Sequence, residues 1–143
     1  MSRTEAQAAY EALPVPDTTE EHWRFTDLRG FDPDAFGHVG GQSPDVSAPS
    51  MLELDVAAEA VVTENGIEVT RAPAEIRFQP LDDSNDRLGS LVDWEEDKFA
   101  AHNAAAWKHG LLVHVPGGLV LERPLFVRVV NAVDGGSLFW RLL

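Results

Sequence analysis

The sequence predicts an α+β fold that is mainly β: short N-terminal helices, a small β region, and one helix that leads into further strands. Three observations predict it. Helix start signals occur near both ends of the first 110 residues, an Asn-Gly pair separates two β-rich runs, and four short β-rich runs follow Gly110. Strands at such close intervals are typical of a sandwich, a barrel or a β-solenoid.

Composition limits the classes of function. The chain has 143 residues, 44% of them apolar, enough for one small domain with a core. It has no cysteine, which fits a reducing compartment and excludes thiolate chemistry within the chain. The net charge of −13 argues against a nucleic-acid partner. No run approaches the roughly 20 apolar residues that span a bilayer, and the N-terminus lacks a signal-peptide core. We therefore expect a cytoplasmic protein without a membrane partner.

Residues 1–29 are predicted to form an N-terminal helical segment. Ser2 and Glu5 have the spacing of a capping box, and the helix that they begin ends before the Pro-Val-Pro stretch. A second helical turn is expected through EEHWRFTDL, with Asp17 or Thr18 as its cap.

Residues 30–50 are rich in Gly, Pro, Ser and Asp and predict a linker or long loop. Residues 51–92 predict a small β region, which includes the alternating run MLELDV and the run AEIRFQPL. Between two further β-rich runs, Asn65-Gly66 predicts a hairpin with a type I′ turn.

Residues 93–110 predict a helix that is capped by Asp93 and Glu96 and ends with Gly110 at its C′ position. Successive helical residues are rotated by about 100°, which places the apolar residues of this helix on one face. Lys98, Ala101, Ala105 and Lys108 fall on the other face. The apolar face contains Phe99, Ala100, Asn103, Ala104, Ala106 and Trp107.

Asn103 lies within this apolar face. A buried amide is costly unless it is hydrogen-bonded, so we expect Asn103 to tie the helix to the backbone of an adjacent strand or loop. The other interpretation is a tolerated Asn at the boundary of the face. Trp107 is expected to be packed.

Residues 111–143 are almost uncharged overall, with two acidic and three basic side chains against 22 and 8 in the preceding residues. A near-neutral apolar segment on an acidic protein usually lies in a core or against a partner. The last run, SLFWRLL, would leave a sticky strand edge unless another strand covers it. We therefore expect the native chain to continue past Leu143.

The sequence gives little support for a catalytic or metal-binding site. His102 and His109 are about 10 Å apart along a helix, too far to share one ion, and no carboxylate is in register to complete a site with His114. The acidic pairs lie at helix starts or in a polar loop, where they are solvated or stabilise the helix dipole. No Ser or Thr lies beside a credible base. The residues therefore predict no catalytic, cofactor-binding or metal-ligating site.

Three blocks resemble motifs of the SufB/SufD family, which belongs to the SUF iron–sulfur cluster assembly machinery. WRFTDL at 23–28 resembles the W-[RK]-[YF]-T-[DN]-L signature of its SufD branch. KFAAHNAA at 98–105 resembles the helix K-F-x-x-L-N-A-A, with His102 at a usually apolar position, and VPGGLVLERPL at 115–125 resembles V-P-x-G-V-V-L-E-x-P-L. The motif and structural residues are Trp23, Arg24, Phe25, Thr26, Asp27, Leu28, Phe99, Asn103, Trp107, Pro116, Gly118 and Pro124.

The resemblance implies that residues 111–143 form the first rungs of a truncated right-handed parallel β-helix. It also implies a non-enzymatic scaffold subunit whose partners are a SufB-like paralogue and a SufC-like ATPase. The full complex would handle the iron–sulfur cluster, and this chain would hold no cofactor. A free-standing small β-rich binding domain is the alternative. A His-dependent metalloenzyme would require His102, His109 and His114 to converge.

Overall fold

The computed structural model describes residues 2–38, 52–131 and 133–143. The chain divides into two compact units, each of them assembled from two separate stretches. The first contains Met1–Phe36 and Arg87–Trp107, and the second contains Gly37–Asp86 and Lys108–Leu143. Each unit therefore combines segments that are distant in sequence.

Helix α1, Arg3–Ala12, begins the first unit. Its capping box is confirmed: the Ser2 hydroxyl accepts from the Glu5 backbone N–H, and the Glu5 carboxylate accepts from the Ser2 backbone N–H. The stretch after the prolines forms successive turns and no continuous helix, and Asp17, one of the two predicted caps, accepts the Thr19 N–H at 2.7 Å. In these turns the Trp23 N–H donates to the Glu20 carbonyl at 3.0 Å.

The second helix of this unit, α2, spans Lys98–Ala106 and packs against α1. The prediction of a helix over 93–110 is therefore too long at both ends. Asp93 closes a separate turn by accepting the Glu95 N–H, whereas Asp97 accepts the N–H groups of the first helical turn and is the actual cap.

The predicted apolar face of α2 is also partly wrong. Ala101 and His102 are buried together with Ala104, although Ala101 was expected on the polar side. Phe99 and Ala100 are only half-buried. The helix has nine residues and is covered on more than one side, so a single stripe does not describe its burial.

In the described residues of the second unit there are eight strands. They are β1 Gly37–His38, β2 Ala58–Thr63, β3 Gly66–Arg71, β4 Arg77–Pro80, β5 His109–His114, β6 Leu125–Val129, β7 Gly136–Ser137 and β8 Trp140–Leu142. They form a parallel β1–β7 pair and two three-stranded sheets of order β3-β2-β6 and β4-β5-β8. Each three-stranded sheet has one antiparallel and one parallel neighbour around its central strand.

The expectation of a β-helix is wrong. The described residues form two helices and two small mixed three-stranded sheets, and these strands do not close into a solenoid. Among the four described strands from β5 onwards, β5 and β8 pair in parallel, but β6 joins β2, β7 joins β1, and β5 also pairs with β4. Residues 51–92 and 111–143 are thus interleaved in one unit, because pairing partners are selected by shared burial and not by sequence spacing.

The hairpin at Asn65-Gly66 is present, with β2 and β3 antiparallel and Thr63 opposite Gly66. The two residues of its turn are Glu64 and Asn65, one position earlier than predicted. The turn is not type I′, which needs positive φ at both central residues, because neither Glu64 nor Asn65 has a positive φ. Two predicted strands are missing: residues 52–57 and 118–122 contain none.

The core of the second unit gathers side chains from β2, from β4 and the residue before it, and from β5. Its buried members are Ala58, Ala60, Ile76, Phe78 and Leu111. Gly110 was predicted to end the helix but lies within β5, where a Cβ would come within 2.7 Å of the Arg141 carbonyl oxygen and 2.8 Å of the Leu81 Cδ2 atom. Close packing, and not helix termination, therefore requires glycine here.

Candidate functional site: the aromatic cluster of the first unit

An aromatic cluster forms where the first two motif blocks meet. The ring centroids of Trp23 and Phe99 are 5.2 Å apart, and Phe31 lies 6.1 Å from Phe99. Phe36 adds a fourth ring at 6.0 Å from Phe31. These separations are within the range in which aromatic pairs attract beyond their buried area. Residues about 75 positions apart are therefore held together by ring contacts.

Phe25 lies beside this cluster in sequence but is 87% exposed. The Arg24 guanidinium carbon lies 4.4 Å from the centre of the Phe25 ring, and Arg24 also pairs with Glu21 at 3.0 Å. An exposed aromatic ring with an arginine stacked on it resembles the anchor residues of protein interfaces. Thr26 and Asp27 are exposed as well, so this part of the block faces solvent.

Local hydrogen bonds hold the end of the WRFTDL block. The Thr26 N–H donates to the Trp23 carbonyl at 2.8 Å, and the Phe31 N–H donates to the Leu28 carbonyl at 3.0 Å. The Arg29 side chain and, secondarily, its backbone N–H donate to the Asp27 carboxylate and lower the pKa of Asp27 below its usual range. These bonds order an otherwise irregular segment.

An acidic cleft of about 330 Å³ adjoins Trp23. Its lining residues are Glu20, Glu21, His22, Trp23, Glu96 and Asp97. Nδ1 of His22 is 3.9 Å from a carboxylate oxygen of Glu96. Asp97 is committed to capping α2, so its carboxylate is already hydrogen-bonded. The cleft places carboxylates around one indole ring.

Tyr10 supports the site from α1, and sequence reasoning did not identify it. The Tyr10 hydroxyl donates to Asp34, and burial together with this bond raises the pKa of Tyr10. Its ring stacks on His102 with centroids 4.0 Å apart. Lys98 donates to the carbonyls of Tyr10 and Leu13 at 2.6 and 3.0 Å. The signal that could have located Tyr10 is its spacing of four residues from Ala6, since both are buried.

Two further motif residues, Asn103 and Trp107, lie near the end of α2 and directly after it. Asn103 is half-buried, and its carbonyl accepts the Trp107 N–H at 3.0 Å. Trp107 is 4% exposed, and the Arg3 guanidinium carbon lies 5.3 Å from its ring centre. The expected bond between the Asn103 side chain and a neighbouring backbone stays a prediction.

The third block belongs to the second unit and not to the aromatic cluster. The Leu119 N–H donates to the Pro116 carbonyl at 3.1 Å, and Gly118 has φ +84°, so this stretch is a tight turn that needs glycine. The Pro124 carbonyl accepts the Ala57 N–H at 2.9 Å. These residues therefore have backbone roles.

The histidines that a metalloenzyme would need have other surroundings. His102 stacks on Tyr10, and Nε2 of His109 lies 2.8 Å from the Thr63 carbonyl oxygen. Within residues 2–38, 52–131 and 133–143, no three His, Asp or Glu side chains are grouped so that they could hold a metal ion. Neither of the two helices in that part of the chain has the length and apolar character needed to cross a membrane.

Comparison with known proteins gives no match: no family model, no curated protein and no solved structure is significantly similar to the chain.

Proposed function

We propose that this chain is a SufD-like, non-catalytic subunit of a cytoplasmic SufB–SufC–SufD scaffold for iron–sulfur cluster assembly. The observation that carries the proposal is the contact between Trp23 and Phe99, with ring centroids 5.2 Å apart. These residues belong to two separate blocks that resemble the family. Because these two rings are in contact, both blocks contribute to one surface.

The chemistry of that surface suits recognition better than catalysis. Phe25 and Arg24 form an exposed cation–π pair, and aromatic and arginine residues are enriched among those that dominate binding energy. The side chains around them are braced by local ion pairs and turns. Preorganised side chains lose less entropy when a partner binds. We assign the surface to contact with the SufB-like paralogue or the SufC-like ATPase.

In this proposal the chain contributes no catalytic group and holds no resident cofactor. The cluster is the cargo of the whole complex, and the partner ATPase supplies the energy. The acidic, cysteine-free composition agrees with a subunit that acts through its surfaces in a reducing compartment.

The test is reconstitution with the SufB-like and SufC-like proteins of the same organism. The native full-length protein is mixed with each partner, and complex formation is measured by size-exclusion chromatography with light scattering and by calorimetry. We expect a stable complex, and Phe25→Ala should weaken it about tenfold, as loss of an anchor worth more than 1 kcal/mol would.

The matched control is Leu91→Ala, which removes another apolar side chain that is 90% exposed in the same unit. It should leave the affinity unchanged. Failure to bind either partner would refute the assignment. Equal losses for the two variants would refute the role of Phe25 alone.

A free-standing β-rich binding domain is the second candidate, and one observation favours it. The second unit has its own core around Phe78 and Leu111. Immunoprecipitation from the source cells with an antibody to the N-terminal 36 residues separates the two. A longer chain with an ATPase and a paralogous companion supports the scaffold, whereas a lone species near 15.7 kDa supports the small domain.

A further inference from the structure

The turn between β2 and β3 ends in an Asn65-Gly66 pair, with Asn65 in the turn and Gly66 the first residue of β3, and the fold does not require this glycine. Gly66 does not have a positive φ, and a Cβ built at this position would meet nothing within 4 Å. Alanine would therefore fit at position 66 without strain. The pair has to be considered for its chemistry and not for its conformation.

Asn65 is exposed at the tip of this hairpin. Its backbone N–H donates to the Thr63 hydroxyl at 3.2 Å, which holds the main chain of the turn. Its side-chain amide has no hydrogen-bond partner within the described part of the chain. The amide can therefore rotate about its side-chain torsions and bring its carbonyl carbon to the next backbone nitrogen.

We propose that Asn65-Gly66 is a site of spontaneous covalent modification. Hydroxide or water removes the proton of the Gly66 amide, the nitrogen attacks Cγ of Asn65, and the bond from Cγ to the side-chain nitrogen breaks to release ammonia. Water then opens the resulting five-membered imide at either carbonyl. The net reaction consumes one water and releases one ammonia, and it leaves an aspartyl or an isoaspartyl linkage.

Two features direct the reaction to this position. Gly66 has no side chain to obstruct the approach of its nitrogen, whereas the asparagines at positions 85, 103 and 131 are each followed by a residue with a β carbon. Gly66 is also the first residue of β3, directly after the two-residue turn and at the edge of the paired region.

The products would disturb the hairpin. Either product places a new carboxylate next to Glu64, which is buried and accepts the Val133 N–H at 3.1 Å. The new carboxylate would be exposed at position 65, but its negative charge close to that of Glu64 is unfavourable. The isoaspartyl form also inserts an extra methylene into a two-residue turn, so the pairing of Thr63 with Gly66 cannot keep its register. Modification should therefore loosen β3.

The experiment incubates the folded full-length protein in heavy-oxygen water at neutral and mildly alkaline pH, followed by peptide mapping with mass spectrometry. We expect the peptide that contains Asn65 to lose NH from its side-chain amide and to gain one heavy-oxygen atom. It should separate into two products, one with an aspartyl and one with an isoaspartyl linkage. Asn131, which is also exposed but precedes an alanine, is the internal control and should change more slowly. Equal rates at Asn65 and Asn131 would overturn the proposal.

Gly66→Ala tests the mechanism in the same assay. It should abolish most of the labelling while leaving the circular dichroism spectrum unchanged, because the site has room for the methyl group. Gly117→Ala, which is equally unobstructed, is the matched control and should leave the labelling intact. Labelling that persists in Gly66→Ala would show that the neighbouring nitrogen is not the nucleophile.

Discussion

Replacing Trp107 by alanine tests the packing of the first unit most directly. The side chain is 4% exposed, and burial of a tryptophan removes roughly 150–250 Å² from water, which corresponds to about 4–6 kcal/mol at ~25 cal/mol per Å². The area is an upper estimate because unfolded chains already bury part of it. We therefore expect Trp107→Ala to lower the free energy of unfolding by about 3–5 kcal/mol, the usual cost of such a truncation.

The assay is urea denaturation followed by far-ultraviolet circular dichroism, because both helices belong to the first unit. Arg3→Ala separates packing from the cation–π contact over the indole ring. It removes only the guanidinium at 5.3 Å and should cost about 0.5–1 kcal/mol. A loss below about 1 kcal/mol for Trp107→Ala would be typical of a surface position and would refute the packing described here.

Three further changes test other parts of the fold. Gly110→Ala should destabilise the second unit by about 1–3 kcal/mol through overpacking, whereas Gly117→Ala should be nearly neutral; equal unfolding midpoints in urea would contradict this. Asp97→Ala should cost about 1 kcal/mol of helix capping, and Asp93→Ala should cost less, as measured by helical ellipticity on heating. Hydrogen bonds from the backbone N–H and the hydroxyl of Ser2 lower the pKa of Glu5. The stabilisation that Glu5 gives to α1 is therefore complete above the unfolded pKa near 4.5, and it is lost as the pH falls through the lower pKa of the folded state. Carboxyl titration by NMR checks this, and a pKa at or above 4.5 would refute it.

Short-range features were the most predictable from the sequence. The capping box at Ser2 and Glu5 and the pairing around Asn65-Gly66 both occur where the pattern places them. Each depends on residues that are no more than a few positions apart. Even so, the predicted helix cap at Asp93 is wrong, because Asp97, four residues later, is the cap and Asp93 closes a separate turn.

The candidate site was predicted in part. Sequence motifs identified Trp23 and Phe99, but nothing local indicated that their rings would touch. Tyr10 and Asp34 were missed, because their hydrogen bond joins α1 to a turn 24 residues away. Such a contact has no sequence signature when each partner is an ordinary residue of its own segment.

By itself, the sequence determined the mixed α and β character of the protein, its acidic surface, its lack of thiol chemistry and the location of its hairpin. These properties depend on composition and on neighbours along the chain. Only the tertiary structure decided which strands pair, and it replaced the expected solenoid by two mixed sheets. Alternating apolar residues specify that a strand needs a partner, but every strand offers the same backbone donors and acceptors. The partner is therefore selected by which side chains can be buried together.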